Sequence, residues 1–181
     1  MTSMHTGRLF ITILIFFSLA LFLNPVMAQE NDDRGFLVET GQRAPDFTVF
    51  LDNGEEWTLS EQRGKVVMLQ FTASWCGVCR KEMPYIEKDI HKRMPKDKFV
   101  VIGVDRDEPL STVLKFKEQT GITYPLALDP NAEVFKLFAH ERAGVTRNVI
   151  IDQNGKIVFL TRLFEKEEFD HMVEVIEMLI Q

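Results

Sequence analysis

The 181-residue chain holds two cysteines, and both lie in one motif, Trp75-Cys76-Gly77-Val78-Cys79. Two sulfurs at this spacing can staple a fold, supply half a metal site or cycle between dithiol and disulfide. As a staple the pair is poor, because so small a loop removes little entropy from the unfolded chain. As a zinc site it is half complete. Zinc takes four ligands, and His91, His140 and His171 stand in no Cys/His ligand spacing. The pair is best read as redox chemistry, with no metal and no cofactor expected beyond a redox-active Cys76–Cys79 disulfide.

The surrounding elements must position that chemistry. Val66 to Phe71 is a β-branched and apolar run, the mark of a strand covered on both faces. After Cys76, the apolar positions Val78, Met83, Ile86 and Ile90 predict a helix over 77–94, kinked at Pro84 by a missing backbone donor. Cys76 then falls at a helix N-terminus, where free N–H groups and the dipole favour a thiolate. Cys79 is one turn further along the same face. Cys76 is expected to attack a substrate disulfide, and a more buried Cys79 to resolve the mixed disulfide. Burial raises a thiol's pKa, so a nearby base helps, and Glu82 lies three residues beyond Cys79. On spacing alone Glu82 is equally a solvated helix residue.

The rest of the chain completes an α/β pattern. Asp46–Phe50 and Glu56–Leu59 flank an Asp52-Asn53-Gly54 turn signal and predict an N-terminal hairpin. Residues 99–104 form a second buried strand, 110–120 a helix ended by Gly121, and 132–138 a short helix. Val149–Ile151 and Lys156–Thr161 flank a Gln153-Asn154-Gly155 turn. Residues 165–180 form an amphipathic helix with Phe169, Met172, Val173, Ile176 and Ile180 on one face. Strand–helix–strand–helix, then a hairpin and a helix, implies a mixed central sheet with helices on both faces.

At the start, Leu9 to Leu23 is almost free of polar residues and follows His5 and Arg8. As a helix it would be about 22 Å long, short of the ~30 Å membrane core. Val26-Met27-Ala28 offers small residues to a signal peptidase. Residues 1–28 are therefore expected to be a signal peptide cut after Ala28, with an uncleaved membrane anchor as the rival reading. Residues 29–35 are expected to be a flexible leader and 36–181 one domain. Either reading of the N-terminus places the domain outside the cytoplasm, in a compartment such as the periplasm. The net charge of −6 argues against nucleic acid as a partner.

The segment Phe71-Thr72-Ala73-Ser74-Trp75-Cys76-Gly77-Val78-Cys79-Arg80-Lys81-Glu82-Met83-Pro84 resembles the active site of the extracytoplasmic thioredoxin-like reductases, the TlpA/ResA group. Gly41-Gln42-Arg43-Ala44-Pro45-Asp46-Phe47 and residues 148–158, with Ile151-Asp152 and Gly155-Lys156, are similar to theirs as well. The resemblance spans about residues 36–180. It implies a thioredoxin fold with an added N-terminal β-hairpin and reduction of exported Cys-containing proteins, cytochrome c maturation being the best-known setting. In an oxidising compartment such a reductase needs an upstream membrane thiol donor. It implies too that Cys76 is the nucleophile, Cys79 the resolving thiol and Glu82 the acid that tunes them. Gln70 stands where cytoplasmic thioredoxins carry a buried Asp, so it cannot be the base. Trp75, Gly77, Val78, Thr146 and Arg147 are the expected substrate contacts.

Two departures stand out. Gly77-Val78 lies where Gly-Pro or Glu-Pro is more usual. Thr146 takes the place of a cis-proline that faces the cysteines. A cis bond before Thr costs roughly 3 kcal/mol, so a trans or strained backbone is expected there, still able to pair with an incoming strand. The sharper alternative is altered substrate release or metal access to the thiolates. A thiol peroxidase of peroxiredoxin type is the nearest enzymatic rival, but Ala73 and Met68 replace its Thr and Pro. A non-catalytic relative of the same fold usually loses one of the two cysteines, and a copper-delivering one would show Cys-x-x-x-Cys and a late ligand His, neither of which matches here.

Overall fold

The computed structural model describes residues 34–181, so the expected signal peptide and the expected cut after Ala28 lie outside the described residues. Thr48–Leu51 (β1) and Glu56–Thr58 (β2) form the N-terminal hairpin, with Gly54 supplying the positive φ of its turn. Val66–Thr72 (β3) is buried at every position and leads into Gly77–Tyr85 (α1). Pro84 lies inside α1, and beyond it the helix loosens into a π-helical stretch, Ile86–His91. Phe99–Arg106 (β4), Leu110–Thr120 (α2), Leu126–Asp129 (β5) and Glu133–Phe138 (α3) follow. Arg147–Ile151 (β6), Ile157–Arg162 (β7) and Lys166–Leu179 (α4) end the chain.

The seven strands form one mixed sheet in the order β2-β1-β5-β4-β3-β6-β7. The three central strands β5, β4 and β3 are parallel, and the hairpins at either side join them antiparallel. Strand β5 is absent from the sequence expectation. Only Leu126, Ala127 and Leu128 precede Asp129, and Pro125 stands before them, so no local period marks a strand. Its pairing partners create it, and it is the strand that joins the N-terminal hairpin to the central pair.

Alternation along β3 shows that helices cover both faces. Gln70 reaches the Glu82 side chain of α1, whereas the next residue, Phe71, meets the Phe135 and Phe138 rings of α3. On the α1 face, Tyr85 packs its ring on Phe169 of α4. On the α3 face, Phe138 lies edge-on to Phe47 at 6.0 Å and 5.4 Å from Phe71, so one ring ties the segment before β1 to the sheet centre. Arg34 and Gly35, expected in a flexible leader, are instead docked. Arg34 pairs with Glu168 at 2.9 Å, and the Gly35 carbonyl accepts from the His140 N–H. Among the described residues no helix is long and apolar enough to cross a membrane.

Phe138 is fully buried between two layers. Phe138→Ala should therefore cost about 3–5 kcal/mol in urea unfolding. A loss under 1 kcal/mol would mean that the N-terminal segment is not held by this ring.

Candidate active site

The loop between β3 and α1 is short and tied down. Glu108 accepts from the backbone N–H of Ser74 at 2.5 Å and from its hydroxyl at 2.6 Å. Arg80 returns from the first turn of α1 to donate to the Ser74 carbonyl at 2.8 Å, and its guanidinium lies over the Phe116 ring. The Cys76 N–H donates to Ala73. Cys76 is thereby fixed as the N-cap of α1, with extended backbone, and its sulfur accepts from the Cys79 N–H at 3.1 Å. This is the helix-start position that favours a thiolate.

Cys76 and Cys79 form a disulfide, with Cα atoms 5.3 Å apart. The two sulfurs are unequal. Cys76 keeps 7% of its surface exposed and Cys79 none. Trp75 stands 65% exposed beside them, Gly77 is exposed and Val78 half-buried. These three residues rim the accessible sulfur.

Glu82 is buried, not on a solvated helix face. Asn148 donates to one carboxyl oxygen at 2.6 Å and Gln70 to the other at 3.2 Å. Asn148 also donates to the Thr161 hydroxyl, and Gln70 accepts from the Tyr124 hydroxyl at 2.6 Å. Strand register explains the arrangement: Gly103, Gln70, Asn148 and Thr161 are direct neighbours across β4, β3, β6 and β7. They make one polar row through an apolar sheet, directly beneath α1. Gly103 belongs in that row because a Cβ there would sit 2.5 Å from Leu126 and 3.5 Å from the Tyr124 ring. Burial pushes the Glu82 carboxyl up to about 7, against the lowering by Asn148 and Gln70, with Glu168 adding to the rise. Near neutral pH this group exchanges a proton readily, as a base for a buried thiol requires.

A second buried acid lies at the end of β4. Neither carboxyl oxygen of Asp105 meets a donor among the described residues, so the group is satisfied by holding its own proton toward the Glu108 carboxylate. Burial, with the Glu108 and Asp129 carboxylates nearby, raises it to about 8, so it holds its proton at neutral pH.

Thr146 faces the cysteines as its place in the sequence suggests. Its hydroxyl oxygen is 3.1 Å from the Cys76 sulfur and 3.3 Å from that of Cys79. No cis peptide bond occurs among the described residues, so the backbone here is trans. The Thr146 carbonyl accepts from the Leu163 N–H. Arg147 requires a correction. The sequence makes it a substrate contact, but its side chain is fully buried, over the Phe36 ring, and donates to the Gly144 and Arg34 carbonyls. It fastens the start of the domain to the loop before β6. Among the described residues no three His, Cys, Asp or Glu side chains converge on a metal position.

Gln70, Asn148, Tyr124, Thr161 and the Ser74–Glu108 tie were not among the expected site residues. The available signal was a single amide in each of two strands, Gln70 in β3 and Asn148 in β6.

A dithiol at a helix start, set on this sheet above a buried acid, defines a thiol–disulfide oxidoreductase of thioredoxin fold. Residues 39–176 match the Redoxin family. The thiol-disulfide oxidoreductase ResA of Geobacillus kaustophilus is 33% identical over 141 residues, covering 77% of this chain and 79% of that protein. A solution structure from Bacteroides thetaiotaomicron, named as a candidate protein disulfide isomerase, is 58% identical. It superposes with a TM-score of 0.77 over 81% of this chain and 92% of its own. A candidate thiol:disulfide interchange protein DsbE from Chlorobium tepidum is 28% identical, with a TM-score of 0.71 over 80% of this chain and 99% of its own. The chain belongs to the redoxin family, among the ResA-like thiol–disulfide oxidoreductases.

The raised Glu82 pKa has a stability consequence. Between pH 4.5 and 7 the native state keeps a proton that the unfolded chain has released, so stability falls as pH rises through that window. Glu82→Gln removes the cost and should stabilise the protein by roughly 2–3 kcal/mol at pH 8 and little at pH 4. Denaturant midpoints at the two pH values check this; equal gains at both would contradict it.

Proposed function

We propose that this protein works outside the cytoplasm and reduces disulfides of exported Cys-containing proteins. The observation that carries the reading is the inequality of the two sulfurs above a carboxyl that titrates near neutrality. The Cys76 thiolate attacks one sulfur of a substrate disulfide, whose other sulfur leaves as a thiolate. Glu82 takes the Cys79 proton. Cys79 then attacks the Cys76 sulfur, and the bond from Cys76 to the substrate breaks with its electron pair on the substrate sulfur. The substrate gains two electrons, and the protein is left as the Cys76–Cys79 disulfide. An upstream membrane dithiol donor restores the reduced form.

Support for export comes from the apolar run Leu9–Leu23 and the small residues ending at Ala28. Trp75, Gly77, Val78 and Thr146 surround the accessible sulfur and would meet the substrate chain. Cytochrome c maturation is one setting that such a reductase serves.

Cys79→Ser removes the resolving attack while leaving Cys76 able to form the mixed disulfide. It should therefore accumulate covalent adducts with exported Cys-containing proteins, seen on non-reducing gels and released by dithiothreitol. Cys76→Ser should accumulate none. Equal capture by both variants would reverse or void the assigned roles, and adducts confined to cytoplasmic proteins would contradict the location.

A further inference from the structure

We propose that the Thr146 hydroxyl is a catalytic hydrogen-bond donor shared by the two reacting sulfurs, turning to whichever carries the negative charge. The proposal rests on the dithiol–disulfide cycle above and adds a residue to its chemistry. The Thr146 oxygen lies 3.1 Å from the Cys76 sulfur and 3.3 Å from the Cys79 sulfur. In the disulfide neither sulfur carries a hydrogen, so the hydroxyl, with its one hydrogen, is the donor to whichever sulfur it faces. A hydroxyl hydrogen rotates about its C–O bond, so one group placed between two sulfurs serves either without backbone movement.

The need for such a donor follows from burial. Thr146 is 4% exposed, so water does not readily take its place. When an incoming thiolate attacks the Cys76 sulfur, the Cys76–Cys79 bond breaks and its electron pair moves to the fully buried Cys79 sulfur. That charge appears before the Glu82 carboxyl has delivered a proton. The hydroxyl offers it a hydrogen bond in a low-dielectric site, where such bonds are strong. The threonine proton itself stays on oxygen throughout. In the reduced protein the charge resides on Cys76, at the start of α1. In the disulfide form that sulfur accepts from the Cys79 N–H at 3.1 Å and lies 3.1 Å from the Thr146 hydroxyl, and the proposal keeps both contacts in the dithiol. Both bonds favour the thiolate, and so lower the Cys76 pKa and favour the reduced form over the disulfide. Valine matches the shape of threonine but cannot supply the donor.

The test titrates the reduced protein by the ultraviolet absorbance of the thiolate and needs no substrate, so its outcome is separate from the capture experiment that tests the exported-reductase reading. Thr146→Val should raise the Cys76 midpoint by about one pH unit, the worth of one hydrogen bond to a charged group. Thr146→Ser, which keeps the hydroxyl, should hold the parent midpoint. The equilibrium with glutathione should move about tenfold toward the disulfide in the valine variant and stay put in the serine variant. Thr146→Ala should behave as valine does. An unmoved midpoint in the valine and alanine variants would overturn the proposal. So would equal shifts in the serine and valine variants, which would mark Thr146 as a packing residue only.

Discussion

A carboxyl group kept in the protein interior, one helical turn from a buried sulfur, constrains the rest of this structure. Left alone in an apolar sheet, Glu82 would take up a proton and stay neutral far above neutral pH. Two amide donors moderate that, and burial opposes them, so the group sits near pH 7. The amides must come from the sheet below α1, and each must be held in turn. Tyr124 holds Gln70, Thr161 holds Asn148, and Gly103 leaves the room that the Tyr124 ring and Leu126 need. One titratable group thus accounts for Gln70, Asn148, Thr161 and Gly103, neighbours across β3, β6, β7 and β4.

The second requirement is a fixed place for the attacking sulfur. A helix start stabilises a thiolate only if the sulfur sits at the N-cap, and a loose loop would let it drift. Ser74 is held by Glu108 from beyond β4 and by Arg80 from α1, so the loop is anchored from two elements besides its own. The same anchoring leaves Trp75 projecting into solvent beside Cys76. Rigid beneath and open above, the site suits a reaction in which one sulfur meets partners and the other waits.

Much of this was legible in the residues. The cysteine spacing, the strand before it and the helix after it suffice to place Cys76 and Cys79, and the family resemblance adds Glu82 and Thr146. The turn signals at Asp52-Asn53-Gly54 and Gln153-Asn154-Gly155 place both hairpins. What was not legible depends on register and on tertiary contact. Gln70 and Asn148 become neighbours only when β3 and β6 pair, and nothing local fixes that pairing. Leu126–Asp129 becomes a strand because β1 and β4 flank it. Arg147 is expected as a substrate contact, but the Arg34 carbonyl and the Phe36 ring, from the far start of the domain, join the nearby Gly144 carbonyl in making its burial tolerable.

The central claim is that Glu82 titrates near neutrality beneath the cysteines. The direct measurement is the side-chain carboxyl carbon shift of Glu82, followed by NMR against pH in the disulfide form, with Glu82→Gln assigning the signal. The account predicts a midpoint near 7. A midpoint at the ordinary glutamate value of about 4.3 would contradict it.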